Sequence, residues 1–396
     1  MVKMLEFRAS WRLTVQKLLG MLVRVLGVIV FSVAGMLKSV AVWLGISSPR
    51  PVSGPVICIA AGARGWKNIE FQEISQSARE YAGDGRVIEL VVQSKRTYLG
   101  QVWSALVESE VTHYFFDPRT GSQNFLGSFF EPVVLAIMFA FRGVTPIGYC
   151  TDISERRPRL QVAFVTARTG ACVCFMDAVA VRRIFPHERI VGPSIMPFSL
   201  ETFERLSVLR NSSSSRPKKL VSFVGSLYEP RTTTLSQIRS ALEKNDISLD
   251  LPTRKMGEPR GSDDSYWESL SGSEIQVTTT SQIRDAFKDM AEVNQLVYRA
   301  TEALVSGAAL VIEEVPGMTT FFQDRVHLYS FSTPQEAASI VQELLEDRKK
   351  LATVKLAGQQ KIEEIIRGQV FWRSVDAALG ESVIQKSQSA EGASLL

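Results

Sequence analysis

The fold class is clearest in residues 220–251, LVSFVGSLYEPRTTTLSQIRSALEKNDISLDL. The apolar run at 220–225 has the length of a buried strand, and the stretch at 233–244 has the pattern of an amphipathic helix. A second strand-like run follows at 247–251. Strands that alternate with helices build parallel sheets covered by helices. This stretch therefore predicts the start of an α/β domain.

The same alternation extends in both directions along the chain. Upstream strand-like runs lie at 56–60, 86–92, 111–116, 144–150, 171–176 and 188–192, with helical patterns near 68–82 and at 129–141. Downstream strands are predicted at 273–280, 308–314 and 326–331, and helices at 291–306, 334–351 and 353–379. The pattern predicts an α/β protein of two Rossmann-like, doubly wound domains.

Polar and Ser-rich segments suggest where the domains begin and end. Residues 210–219, RNSSSSRPKK, are the clearest linker. We expect a loop at 253–266, which is rich in Gly, Pro and charge, and a closing helix at 353–379 that can return to the first domain. The predicted organisation is an N-terminal helical segment (1–50), a first domain (51–209), the linker, a second domain (220–380) and a disordered tail (381–396).

The composition is typical of a globular protein with an apolar core, and it argues against several classes of functional site. The chain has 396 residues, 45% apolar and 22% charged, and a net charge of +4. Seven basic residues and one acid lie in residues 1–50, so the remainder carries about −2, which argues against a nucleic-acid-binding surface. The four cysteines form no CxxC pair and are expected to be buried thiols, and three scattered histidines argue against a histidine-built metal site.

The N-terminal segment contains a long apolar stretch at 18–46 that is interrupted by Arg24 and Lys38. Its longest charge-free run, residues 25–37, is shorter than the roughly 20 residues that a membrane span needs. Lys17, Arg24 and Lys38 recur at multiples of seven, which places them on one helix face opposite an apolar surface. The sequence leaves three interpretations open: a helix lying on a membrane surface, a span or re-entrant hairpin, and an ordinary packing helix.

The most informative motif is QLVYRATEALVSG at 295–307, followed by the strand AALVIEE at 308–314. Arg299 and Glu302 are spaced i, i+3 and share one face of a helix that Gly307 caps. An arginine suits a diphosphate because of its fork of donors, and a carboxylate suits paired ribose hydroxyls. The spacing alone favours a simpler interpretation, which is a surface ion pair on an amphipathic helix.

The residues around this pair resemble the donor-site segment of the CgeB-like (spore-maturation type) glycosyltransferases, which have the twin-Rossmann GT-B architecture. The matching positions are Gln295, Leu296, Arg299, Glu302, Gly307, Glu313 and Pro316. The resemblance continues through FFQDRVHLYSFSTPQEAASIVQELLED at 321–347 and SFVGSLYEPR at 222–231. It covers residues 220–345 well and the N-terminal half only by architecture.

The resemblance implies a cytoplasmic glycosyltransferase that takes a nucleoside-diphosphate sugar as co-substrate and needs neither a metal nor a bound cofactor. It implies that Glu302 holds the ribose and that Arg299 and Arg231 hold the diphosphate. Gly225 and Ser226 let the backbone approach the phosphates, and Gly307 caps the helix before the donor-facing strand that contains Glu313. One position departs from the pattern of many retaining relatives, because Asn294 stands where they carry a second glutamate.

The N-terminal half offers weaker candidates. Gly62-Ala63-Arg64-Gly65 follows the first strand and is either a glycine loop facing the cleft or a simple turn. Asp152 lies just past a predicted strand, where it is expected to act as an acceptor-side base or to cap a helix. Trp66, Tyr266 and Trp267 could stack on a sugar or base, although aromatic residues more often belong to a core.

Two other function classes compete with this interpretation. A non-catalytic, membrane-peripheral binding or assembly protein of the same fold is favoured by the missing glutamate at position 294. A dinucleotide-dependent oxidoreductase is poorly supported, because no G-x-G-x-x-G follows either first strand. The expected partners are a nucleotide sugar, an acceptor from the envelope or linked to a lipid, and a membrane surface that contacts residues 18–46.

Overall fold

The computed structural model describes residues 2–43, 55–62, 69–94, 96–120, 125–150, 156–175, 189–212, 219–225, 227, 229–251, 263–279, 296, 298–315 and 317–380. The chain forms two compact units. The first contains Met1–Ser194 and Phe371–Leu396, and the second contains Ile195–Val370. Each unit is built on one parallel sheet with helices around it.

The first unit has a six-stranded parallel sheet in the order β2-β1-β3-β4-β5-β6. Its strands are β1 (Ile57–Gly62), β2 (Val87–Val92), β3 (His113–Phe116), β4 (Thr145–Cys150), β5 (Ala171–Cys174) and β6 (Ile190–Val191). Its helices are α1 (Val2–Trp43), α2 (Ile69–Ala82), α3 (Tyr98–Glu108), α4 (Phe125–Arg142) and α5 (Arg156–Val165). Strands β1, β3 and β5 are almost entirely buried, which explains why they are apolar without alternation.

Helix α1 forms an outer layer of the first unit, because it packs on α4 and α5 rather than on the sheet. Gly27 allows this close contact: a Cβ atom there would lie 2.4 Å from the Phe164 carbonyl oxygen. Phe31 and Ala34, one and two turns further along, are buried in the same contact. The helix is longer than the predicted apolar stretch, since it begins at Val2.

The second unit has a five-stranded parallel sheet in the order β11-β10-β9-β7-β8. Its strands are β7 (Lys219–Ser222), β8 (Leu249–Asp250), β9 (Ser273–Thr278), β10 (Ala309–Glu313) and β11 (Tyr329–Phe331). Its helices are α6 (Leu200–Ser212), α7 (Arg231–Glu243), α8 (Asp263–Ser271), α9 (Tyr298–Ser306), α10 (Pro334–Glu346) and α11 (Arg348–Arg367). Side chains of α7, α10 and the sheet form its main core.

Helix α12 (Val370–Leu379) belongs, from Phe371 onward, to the first unit. The Trp372 ring nitrogen donates to Ser77 Oγ (3.1 Å), and the Tyr81 hydroxyl donates to an Asp376 carboxylate oxygen (2.7 Å). The prediction of a single closing helix at 353–379 is therefore wrong. The chain forms two helices that are separated near Gln369, whose φ is +50°.

The two parallel α/β sheets confirm the predicted fold class, but the units divide at a different place from the predicted linker at 210–219. Residues 195–212 belong to the second unit, where α6 packs on α8, α9 and α11. Arg210, predicted as a linker residue, lies on α6 and donates to the Val305 carbonyl. The loop predicted at 253–266 is also too long, because α8 begins at Asp263. Residues 213–218 and the tail at 381–396 lie outside the described residues.

The four cysteines are free and buried, as predicted. Cys150, Cys172 and Cys174 lie on the neighbouring strands β4 and β5, and burial raises the pKa of the Cys58 thiol to about 12. Such thiols are unreactive near neutral pH, because the thiolate is the reactive form.

Candidate functional site

The candidate site lies at the carboxyl ends of β7 and β9 in the second unit. Strand β8 lies on one side of β7 and strand β9 lies on the other, so the strand order reverses between β7 and β9. In open parallel sheets this is the position where ligands bind. Phe223, Val224 and Gly225 follow β7, and Thr279 follows β9.

Two arginines contact the ring of Phe223 at this position. The guanidinium carbons of Arg231 and Arg299 each lie 5.5 Å from the ring centroid, so the two groups are within about 11 Å of each other. Arg231 Nε donates to Thr279 Oγ1 (3.2 Å), and Arg299 donates to the Val224 carbonyl. The site thus concentrates two fixed positive charges, as the binding of a diphosphate requires.

The backbone at Gly225 leaves room for one of these arginines. Its φ is +149°, and a Cβ atom there would lie 1.9 Å from Arg299 Nη1. A side chain at this position would therefore displace the guanidinium group. The glycine has a clear role in seating Arg299, in addition to the role predicted for it near the phosphates.

Arg299 and Glu302 occupy helix α9 and do not point into bulk solvent. Arg299 is half-buried and Glu302 is buried. The helix ends at Gly307, whose φ is +84°. The Arg210 guanidinium bonds to Val305 in the last turn, where a cation interacts favourably with the helix dipole. Burial lowers the pKa of Arg210.

The remaining predicted residues are placed differently or not described. Glu313 is the last residue of β10 and is half-buried. Trp267 is fully buried beside Phe198 and is a core residue, while Tyr266 is half-buried next to it. The other candidates lie outside the described residues: Ala63, Arg64, Gly65, Trp66, Asp152, Ser226, Asn294, Gln295 and Pro316.

The first unit has its own reversal of strand order, between β1 and β3. Gly62 ends β1, and its amide donates to Thr120 Oγ1 (3.2 Å). Asp117 follows β3 directly and is buried.

Phe223, Thr279 and Asp117 were not among the residues predicted from the sequence. Each directly follows a strand at a reversal point. Their signal in the sequence is their position at a strand's carboxyl end, which becomes informative only once the strand order is known. Among the described residues, no group of three or more His, Cys, Asp or Glu side chains could hold a metal ion.

Comparisons with known proteins agree with this architecture. Residues 240–365 match the family model described as glycosyl transferase-like. No curated protein is similar enough in sequence to match the chain. Three solved structures share its fold across nearly the whole of their chains.

The first is Anabaena HepE in complex with UDP and glucose, with a TM-score of 0.51 and 12% identity, covering 87% of this chain and 100% of that one. The second is sucrose-phosphate synthase from Thermosynechococcus elongatus, with a TM-score of 0.52, 12% identity and coverage of 86% and 100%. The third is a glycosyltransferase from Rickettsia africae, with a TM-score of 0.52, 6% identity and coverage of 83% and 99%. At these identities the similarity shows the GT-B fold alone.

Proposed function

We propose that this protein is a glycosyltransferase that moves a sugar from a nucleoside-diphosphate sugar to an acceptor. The observation that carries the proposal is the pair of guanidinium groups on Phe223 at the reversal point between β7 and β9. The matched family model supports it, because residues 240–365 include α9 with Arg299 and Glu302. The complex of Anabaena HepE with UDP and glucose shows that a protein of this fold binds such ligands.

In the proposed reaction, the bond between the anomeric carbon and the diphosphate oxygen breaks and an acceptor oxygen bonds to that carbon. Negative charge grows on the departing diphosphate, and Arg231 and Arg299 stabilise it where it develops. Arg231 is the first residue of α7, so amides of that helix N-terminus add to the positive field. The two guanidinium groups and the helix amides offset the negative charge of the diphosphate, so the proposed reaction needs no metal.

The other roles in this proposal follow the resemblance. Glu302 holds the ribose, the transferred group is a hexosyl residue, and Asp152 accepts the acceptor's proton. We propose a closer relation to the CgeB-like glycosyltransferases on the matching positions at 295–316. We also propose that the protein acts at the cytoplasmic face of a membrane, on an envelope or lipid-linked acceptor.

Release of free nucleoside diphosphate tests the proposed function. Purified protein is incubated with UDP-, GDP- and ADP-sugars, and slow hydrolysis in the absence of acceptor is followed. We expect release from one nucleotide class, and Arg299→Ala should reduce it at least 100-fold, because one charge-assisted contact to the transition state is lost.

Arg239→Ala is the matched control, since Arg239 is an exposed arginine of α7 that pairs with Glu243 (3.0 Å). Equal rates in the wild type and Arg299→Ala would contradict the proposal. Nucleotide binding without release from any of the sugars would favour the second candidate, a non-catalytic binding protein. Asn294, in place of the second glutamate, is the feature that favours that candidate.

A further inference from the structure

Helix α1 presents a continuous apolar stripe to solvent. Ten large apolar side chains along it are 44–70% exposed: Leu18, Met21, Leu22, Val25, Leu26, Ile29, Val33, Met36, Leu37 and Val40. Among the described side chains of residues 18–40, Ser39 is the only exposed polar one. At 1.5 Å per residue the stripe is about 33 Å long. An exposed apolar surface of this extent marks an interaction site.

The opposite face of α1 is held by the first unit. Gly27 contacts the Phe164 backbone, and Phe31 and Ala34 are buried. Arg168 donates to Ser32 Oγ (3.1 Å), and its guanidinium carbon lies 5.8 Å from the Phe31 ring centroid. A helix that is bound along one side in this way has only its outer side available to a partner.

Helix α4, on which α1 packs, also has an apolar outer face. Phe130, Ile137 and Phe141 are exposed and are spaced seven and four residues apart, so they share one side of the helix. Exposed apolar side chains on two neighbouring helices are unusual for a surface that faces water. We call the α1 stripe and these three residues the apolar face.

We propose that the apolar face docks on an anionic lipid bilayer, with α1 lying in the plane of the membrane rather than spanning it. The proposal rests on the membrane location in the proposed function and adds the residues and the orientation. Charge complementarity favours this occupant, because the segments that flank the stripe, residues 1–17 and 41–50, carry five basic residues against one acid. A second copy of the chain would bring two such basic segments together and is disfavoured by repulsion.

The geometry of α1 decides between an in-plane helix and a span. Arg24 and Lys38 are half-buried on the opposite face of α1, which also contains Gly27 and packs on the first unit. A span would expose this face and its two cations to lipid. By length and composition alone Met21–Val40 could cross a membrane, so the packing of α1 on the first unit is what favours the in-plane orientation. An in-plane helix needs only the apolar outer side that the structure shows.

Vesicle flotation of the full chain tests the docking. We expect the wild type to float with vesicles that contain phosphatidylglycerol and to bind pure phosphatidylcholine at least ten-fold less. Ile29→Glu combined with Met36→Glu should lose binding, and Phe130→Glu should weaken it. The matched controls are Val208→Glu and Leu356→Glu, which change equally exposed apolar residues of the second unit and should float like the wild type.

Depth measurements test the orientation. Leu22→Cys, Ile29→Cys and Met36→Cys place a fluorophore at three positions seven residues apart on the stripe, and the buried native thiols leave these cysteines selectively labelled. Quenchers at known depths should find all three labels equally shallow. A span would separate neighbouring labels by about 10 Å in depth, which would overturn the in-plane orientation.

Two other outcomes would overturn the docking. One is absence of flotation of the wild type, and the other is a wild-type dimer that dissociates in the Ile29→Glu and Met36→Glu variant while flotation is unchanged. Measuring nucleotide release as well as flotation distinguishes a failure of the docking proposal from a failure of the proposed function. The apolar-face variant should release nucleoside diphosphate like the wild type, whereas Arg299→Ala should float normally.

Discussion

At the scale of single residues, His113 couples stability to pH. It begins β3, is buried, and lies 2.9 Å from Thr112 Oγ1 through its Nδ1 atom. Burial lowers its pKa from 6.5 to about 4. The folded state therefore keeps the ring neutral, while the unfolded chain binds a proton below about pH 6.5.

The unfolding free energy should therefore decrease as the pH falls from about 6.5 to about 4, by up to about 3 kcal/mol, and should be unaffected by this group above pH 6.5. Urea unfolding at several pH values measures this slope. His113→Asn should flatten it between pH 5 and 6.5, where few carboxylates titrate. An unchanged slope in that variant would contradict the burial of a neutral ring.

Residues of the candidate site could be predicted from the sequence where the pattern that marks them is local. Arg299, Glu302 and Gly307 lie within one helix and its cap, so their spacing already placed them together. Arg231 was reached only through the resemblance, because 68 positions separate it from Arg299 in the sequence. Phe223 resembles any apolar strand residue, and its contact with two arginines depends on tertiary packing that no local pattern encodes.

At the scale of elements, two glycines of α1 test how this helix is seated. Alanine in place of glycine stabilises a helix by roughly 0.5–1 kcal/mol when space allows. Gly35 has that space, since its nearest neighbour would be 3.7 Å from the new Cβ atom, whereas at Gly27 the Phe164 carbonyl would be 2.4 Å away. We expect Gly35→Ala to raise the unfolding free energy and Gly27→Ala to lower it by about 1–3 kcal/mol. Stabilisation by both substitutions, measured by urea unfolding, would show that α1 does not pack on α5 as described.

The elements themselves were predicted best where burial is complete. Strands such as β1 and β10 lie near the predicted positions, because a buried parallel strand is a plain apolar run. Helices α5, α6 and α8 were missed or placed in loops. Their first turns contain charged residues, and they are stabilised by packing rather than by a strong apolar period.

At the scale of the whole molecule, the two α/β units follow from a local pattern repeated twice, but their boundaries do not. The Ser-rich run at 210–219 resembles a linker, whereas α6 before it is joined to the second unit by Arg210 and by contacts with three helices. Similarly, α12 follows α11 closely in the sequence, but hydrogen bonds of Trp372 and Asp376 attach it to the first unit. Composition shows where a chain is polar, and only packing shows which unit a helix joins.

Calorimetric titration with nucleoside diphosphates and the matching nucleosides is the sharpest test of the diphosphate site. If Arg231 and Arg299 bind a diphosphate beside Phe223, one of UDP, GDP and ADP should bind at least 100-fold more tightly than its nucleoside, since two charge-assisted contacts contribute about 3 kcal/mol or more. In Arg299→Ala most of that difference should disappear while nucleoside binding is unchanged. Equal affinities of diphosphate and nucleoside for the wild type, or the same preference in the variant, would contradict the account.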